Sequence, residues 1–160
     1  MMSTTDPVTP QTDATYFRVG VNALIFNEAQ EVLLALRRDI GWWNLPGGGM
    51  ELGETVTASL VREVLEETGL EVSVERPVGI YSKPQKREVV LAFRCHITGG
   101  AMRPTAESSE CRFFAPNNLP SNLLPNHRQR VEDAMLNLPQ AVIRDQLSRT
   151  EDDQRFFDAE

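Results

Sequence analysis

Residues 48–70 read Gly48-Gly49-Met50-Glu51-Leu52-Gly53-Glu54-Thr55-Val56-Thr57-Ala58-Ser59-Leu60-Val61-Arg62-Glu63-Val64-Leu65-Glu66-Glu67-Thr68-Gly69-Leu70. The second half of this stretch predicts a helix that opens at Glu54 or Thr55 and runs to about Thr68, with Gly69 as the residue that ends it. At about 100° per residue, Glu63, Glu66 and Glu67 occupy one arc of that helix. Ala58, Val61, Val64, Leu65 and Thr68 fall opposite, and Leu60 borders the acidic arc. The reading is an amphipathic helix with its apolar stripe on a sheet and its carboxylates facing out. Like charges three and four residues apart repel. At a separation of about 5.5 Å and an effective dielectric of about 20 the cost is about 3 kcal/mol per pair, far more than in open water. A partly buried cleft lined this way calls for a cation, and hard divalent ions such as Mg²⁺ or Mn²⁺ prefer oxygen ligands. A solvated acidic face is the plain alternative.

The residues on either side raise the weight of the cation reading. The approach to the helix, Leu45-Pro46-Gly47-Gly48-Gly49, lets backbone groups come close to an ion or a phosphate. Arg62, beside Glu63, can pair with Glu54 or Glu63 and fix its orientation.

Working outward, residues 1–15 are polar, without periodicity, and read as a mobile tail. Phe17 to Phe26 predicts a strand, Asn27 to Gln30 a turn, and Val32 to Arg37 the returning strand. Residues 39–53 form a glycine-rich loop with a short strand at Trp42 to Leu45. Beyond the helix, strands are expected at 71–82, broken near Arg76-Pro77, and at Val89 to Ile97. A turn at Gly99-Gly100 and a polar loop at 101–109 follow. Cys111 to Phe114 is a short strand, and His127 to about Leu138 a second helix that Pro139 ends or kinks. Ala141 to Leu147 reads as a short third helix. Residues 149–160 read as an acidic, frayed tail in which Phe156-Phe157 could dock. The element order predicts an α/β fold, a sandwich with a mixed sheet between helices, as a single domain over residues 16–148.

The 160 residues include 41% apolar ones, enough for one core, and carry a formal net charge of −7. That balance argues against a broad electrostatic grip on nucleic acid or anionic lipid, but not against a phosphorylated ligand held through metal ions. Cys95 and Cys111 are the two cysteines. Neither sits in a CxxC or zinc spacing, and both read as small core residues. With no signal-like opening and no apolar run of about 18 residues, the expected location is the cytoplasm. His96 and His127 have no ligand-like partners in sequence and are assigned no role. An acidic calcium-binding protein would need an EF-hand spacing, which is absent.

Gly48, Glu54, Arg62-Glu63-Val64, Glu66-Glu67 and Gly69-Leu70 fill every defined position of the Nudix box, and the chain resembles that family. The seven fixed positions alone would coincide on the order of once in 10⁸ starts. The hairpin at the first strand, Trp43-Asn44-Leu45-Pro46-Gly47-Gly48 and the acidic loop after the Gly-Gly turn extend the resemblance from about Phe17 to Leu138. It implies metal-dependent hydrolysis of a nucleoside diphosphate linked to another moiety X, such as ADP-ribose, a nucleotide sugar or a nucleoside triphosphate. It also implies roles. Glu63, Glu66 and Glu67 would be metal ligands, with the Gly47 carbonyl beside them. Glu54 would pair with Arg62, and Glu63 would be a candidate base. Glu107, preferred over Glu110, would be the additional carboxylate supplied by the later loop.

Arg37 and Arg38 are candidates to hold phosphates, with pairing to Asp39 the slightly favoured alternative, and Arg18 is similar. Phe17, Trp42 and Tyr81 are candidates to stack on a base, whereas Trp43 is expected in the core. Pro84 lies 14 residues beyond Leu70, near a proline of the ADP-ribose-cleaving group. A housecleaning nucleoside triphosphate hydrolase stands level with that reading. A non-catalytic nucleotide-sensing domain is the alternative of another class. Homodimers are common in the family, and the sequence leaves oligomeric state open.

Overall fold

The computed structural model describes residues 16–147. The two expected tails, with Phe156-Phe157, lie outside the described residues. Eight strands and two helices are present among the described residues: β1 Arg18–Ile25, β2 Val32–Arg37, β3 Trp43–Asn44, β4 Gly47–Gly49, α1 Val56–Thr68, β5 Leu70–Lys83, β6 Glu88–Gly100, β7 Ser108–Phe114, α2 Pro125–Met135 and β8 Val142–Asp145. They form a mixed five-stranded sheet in the order β4-β1-β6-β5-β8 and a three-stranded sheet in the order β3-β2-β7. This is the expected α/β sandwich.

Side chains alternate across a strand, so each strand feeds two cores. Val21, Ala23 and Ile25 of β1 join Leu33 of β2 and Leu60 and Val64 of α1. Leu24 of β1 points the other way, into a cluster with Leu34, Tyr81 and the α2 residues Val131 and Ala134. The helices thus cover opposite faces. β1 is gripped on both edges: it runs antiparallel to β4, with Asn22 opposite Gly47, and parallel to β6, with Arg18 opposite Glu88.

Helix α1 starts where its sequence says it should. Thr55 is the N-cap, its hydroxyl accepting from the Ala58 amide at 3.1 Å, and Gly69 ends the helix at φ 80°. Its orientation differs from the expectation. The buried residues are Ser59, Leu60, Glu63, Val64, Glu67 and Thr68, whereas Ala58 and Leu65 are exposed. The stripe that packs is therefore the i, i+3/i+4, i+7 row through Leu60, and it draws two of the three glutamates inward.

Four other expectations need correction. Residues 142–145 are a strand, not a third helix: β8 pairs in parallel with Gly79–Ser82 at the edge of the larger sheet, a role that suits β-branched Val142 and Ile143. Helix α2 ends at Met135, before Pro139. Asn137 takes a positive φ of 49°, its side chain accepts from Arg76, and another Arg76 nitrogen donates to the Leu138 carbonyl at 2.8 Å. Strand β5 is continuous through Pro77, because register shifts on either side absorb the residue that cannot donate. Gly99-Gly100 lies at the end of β6, opposite Glu71 and Leu70, rather than in a separate turn. Cys95 is buried and Cys111 half-buried, both free, and burial lifts their thiols to about 12 and about 11. No helix among the described residues is long and apolar enough to cross a membrane.

Candidate active site

The inward turn of α1 sets Glu63 and Glu67, one helical turn apart, against the glycine strand β4. Gly47 adopts φ 152°, and a Cβ there would stand 2.0 Å from the Val21 carbonyl oxygen. A Cβ on Gly48 would stand 2.5 Å from the Glu63 carboxylate. A side chain at Gly47 would push β4 off β1, and one at Gly48 would displace the Glu63 carboxylate. The Gly47 amide donates to the Glu67 carboxylate at 3.2 Å. Glu107, from the loop before β7, completes the group: one oxygen from each of Glu63, Glu67 and Glu107 lies within 4.8 Å of the others.

Two of these carboxylates are held in conditions that disfavour charge. Burial, foremost, pushes Glu67 well above the usual carboxylate range, against the Gly47 hydrogen bond, and Glu63 and Glu107 add repulsion. Burial also raises Glu63, opposed by Arg62. Arg62 is the hub beside them. It binds Glu54 through two nitrogens, one at 2.9 Å, reaches Glu63 at 3.0 Å and Glu66 at 3.3 Å, and donates to the Gly49 carbonyl at 3.2 Å. That guanidinium, with the Glu51 amide, draws Glu54 down to about 2. Glu66 lies outside the convergent group, 46% exposed and turned toward Arg62.

The carboxylates stand in a cavity of about 470 Å³ between β1, β4, α1 and the loop before β7. Arg37 and Arg38 line it, but both are engaged. Arg37 pairs with Asp39 through two bonds, of 3.0 and 2.5 Å. Arg38 donates from Nε to the Thr105 carbonyl at 2.8 Å and from its amide to the Glu107 carbonyl at 3.0 Å. Arg38 is thus what holds the Glu107 loop over the site. Glu110, by contrast, lies in β7 opposite Leu36, its side chain bound by Arg112.

The aromatic candidates fare differently. Tyr81 is fully buried, and its hydroxyl donates to Asp133 at 3.0 Å. It sits under α2 with no face for a base, so its sequence assignment is corrected. Phe17 is exposed, at the start of β1, and Trp42 is half-buried; neither lines the cavity. Trp43 is in the core, edge-on to Phe114 with ring centres 4.9 Å apart. Sequence reasoning passed over His127, Lys83, Glu88, Asn22, Asn44 and Arg130, all buried and all on the cavity wall. For Asn22 the available signal was a polar residue between Val21 and Ala23 in an otherwise apolar strand, and for His127 and Arg130 their helical spacing with Val131 and Ala134 on the buried side of α2.

A family model for the NUDIX domain matches residues 16–135. The chain belongs to the Nudix family. A Methanocaldococcus jannaschii protein named ADP-ribose pyrophosphatase is 35% identical over 124 residues, covering 73% of this chain and 72% of the relative. A Bacillus subtilis protein provisionally named 8-oxo-dGTP diphosphatase is 35% identical over 115 residues, covering 71% and 77%. The crystal structure of a Nudix hydrolase from Nitrosomonas europaea superimposes with a TM-score of 0.75 at 26% identity, over 84% of this chain and 81% of that one. The protein is a Nudix hydrolase; of its convergent carboxylates, Glu63 and Glu67 sit on the Nudix box and Glu107 on the loop before β7.

Proposed function

We propose that this Nudix hydrolase cleaves the diphosphate linkage of a nucleoside diphosphate bound to a further group X, at the cluster of Glu63, Glu67 and Glu107. The observation that carries the reading is the convergence of these three carboxylates beside the glycine strand. Two of them are buried, and burial with repulsion from nearby glutamates pushes each toward the neutral form, against Arg62 at Glu63 and the Gly47 amide at Glu67. Uncompensated buried charge is costly, and an all-oxygen donor set of this kind fits a hard divalent cation. The residues therefore suit Mg²⁺ or Mn²⁺, which Glu63, Glu67 and Glu107 would hold, with the Gly47 carbonyl and Glu66 as further donors. Such an ion would neutralise phosphate oxygens and lower the pKa of a bound water.

The chain's own residues do the rest. Glu63, oriented by Arg62 at 3.0 Å, accepts the proton of the water that attacks phosphorus. Glu54 fixes Arg62, so the pair Glu54–Arg62 positions rather than reacts. Arg38 anchors the loop that carries Glu107, and Arg37, with Asp39, gives that side of the cavity a fixed dipole. The names of the relatives span ADP-ribose and an oxidised guanine nucleotide, which fits a shared reaction with different groups X. A cytoplasmic location and a single domain over residues 16–148 belong to the same proposal.

The test is a panel of nucleoside triphosphates, ADP-ribose, nucleotide sugars and dinucleotide polyphosphates, assayed for phosphate-bond hydrolysis with Mg²⁺ and with Mn²⁺. Turnover that EDTA abolishes and added metal restores is expected. Resistance of every compound with either metal would overturn the reading in favour of a nucleotide-sensing domain.

A further inference from the structure

Besides the carboxylates, the cavity is lined by Gly20 of β1, Asn44 of β3, Lys83 of β5 and Glu88 and Val90 of β6. The Lys83 ammonium lies 3.0 Å from the Glu88 carboxylate, with the two side chains 1% and 10% exposed. A buried ion pair adds little stability over apolar residues of the same volume, so the fold alone does not account for it. Beside this wall, Asn44 is 8% exposed and its Oδ1 has no hydrogen-bond partner. A buried acceptor left unsatisfied by the fold marks a place for a ligand's donor.

Gly20 stands against this wall: a Cβ there would crowd Val90 at 3.3 Å and come into ordinary contact with Glu88 Oε1 at 3.4 Å and the Gly48 carbonyl oxygen at 3.6 Å. Among the described residues, no Phe, Tyr or Trp lines the cavity. A flat group entering here is read along its edge, not stacked on a ring.

We propose that the Lys83–Glu88 pair and Asn44 read the edge of a nucleobase that carries N–H donors beside a carbonyl, the pattern of a guanine-type base. This rests on the function proposed above, with the substrate's diphosphate at the carboxylate end. The Glu88 oxygens accept from the ring N–H and the adjacent amino group, Lys83 donates to the carbonyl, and Asn44 Oδ1 accepts a remaining N–H. This is the same donor and acceptor logic by which carboxylates and ammonium groups read base edges elsewhere. An adenine-type edge sets a bare ring nitrogen where Glu88 needs a donor. A further phosphate in place of the base would face the Glu88 charge.

The experiment measures kcat/KM with Mg²⁺ for dGTP and 8-oxo-dGTP against dATP and dTTP, in the wild type, in Glu88→Gln and in the double variant Lys83→Met with Glu88→Met. The double variant leaves no uncompensated buried charge, and thermal denaturation checks that each protein is folded. Calorimetric titration of the same proteins with dGMP and dAMP, without metal, reads recognition apart from hydrolysis. We expect the wild type to favour the guanine nucleotides by about tenfold or more, as sites built on hydrogen bonds do. Both variants should bring that ratio to within about twofold of one, chiefly through KM, and should lose the preference for dGMP over dAMP. An unchanged ratio in folded variants, or equal wild-type affinity for dGMP and dAMP, overturns the inference. Selective dGMP binding without hydrolysis of any nucleotide would defeat the proposed function and leave base recognition standing.

Discussion

The Gly47 amide donates to the Glu67 carboxylate across 3.2 Å, in a contact that has no room for a side chain at residue 47. One glycine thus brings a backbone dipole against the most deeply buried acid of the site. Glu67→Gln keeps that hydrogen bond, because an amide oxygen also accepts, but removes the charge that a cation needs. The expected outcome is a fall in kcat of about 10²-fold or more with no loss of thermal stability. Steady-state rates and a melting curve check it, and near-normal turnover would remove Glu67 from the ligand set.

Glu66→Gln should act in the same direction but less severely, since its side chain is half-exposed and turned to Arg62. Its signature would be a rise in the Mg²⁺ concentration needed for half-maximal rate. A metal titration of the variant beside the wild type decides this.

Arg62 touches Glu54, Glu63 and Glu66 and the Gly49 carbonyl. A lysine offers a point charge and no fork, so Arg62→Lys cannot reproduce both bonds to Glu54. Activity should fall about 10- to 100-fold, the range seen when residues that orient metal ligands are changed. Restoring the rate at high Mg²⁺ would locate the loss in metal affinity rather than in proton transfer.

Tyr81→Phe separates the buried tyrosine from the site. It removes the hydrogen bond to Asp133, whose carboxylate keeps Arg144 at 2.6 Å. Stability should drop by about 1 kcal/mol in denaturant titration while kcat and KM stay unchanged. A substrate-specific rise in KM would return Tyr81 to the binding surface.

His127 gives a pH dependence with a definite sign. Its Nδ1 accepts from the Leu45 amide at 2.9 Å, and burial, with Arg130, Lys83 and Arg37 nearby, depresses its pKa well below the ordinary 6.5. The unfolded chain takes up a proton near 6.5 that the folded chain refuses. Stability from this group is therefore complete above that pH and is lost as pH falls below it. His127→Gln retains an acceptor for Leu45 but does not titrate. The difference in unfolding free energy between wild type and variant should shrink or reverse from pH 7.5 to pH 5.5. A constant difference would place the histidine's pKa at its ordinary value.

Much of the fold was legible because its signals are local. Thr55 and Gly69 bound α1 as capping chemistry requires, and Val32 to Arg37 is the returning strand that the turn at Asn27 to Gln30 predicts. What the helical wheel could not show is which apolar residue leads the packing. Leu60, on the border of the acidic arc, went under and took Glu63 and Glu67 with it, while Leu65 stayed out. The misread segment at 142–145 is short, and only the open edge of β5 makes it a strand. The polar wall at Lys83, Glu88 and Asn44 escaped notice because opposite charges facing each other at the β5–β6 connection look like surface residues in sequence, and Asn44 lies some forty residues upstream.

The double grip on β1 has a consequence for substrate length. Asn22 opposite Gly47 marks the level of the glycine strand, and Arg18 opposite Glu88 marks the other wall. Four strand residues separate the two levels, about 13 Å at the usual rise per residue. Since a slip of one residue would turn every β1 side chain to the wrong face, that interval behaves as a fixed gauge. With a base and a metal held as proposed, a molecule would be measured end to end against a single strand, so one phosphate too many or too few would misplace the scissile bond even when both of its ends find their partners.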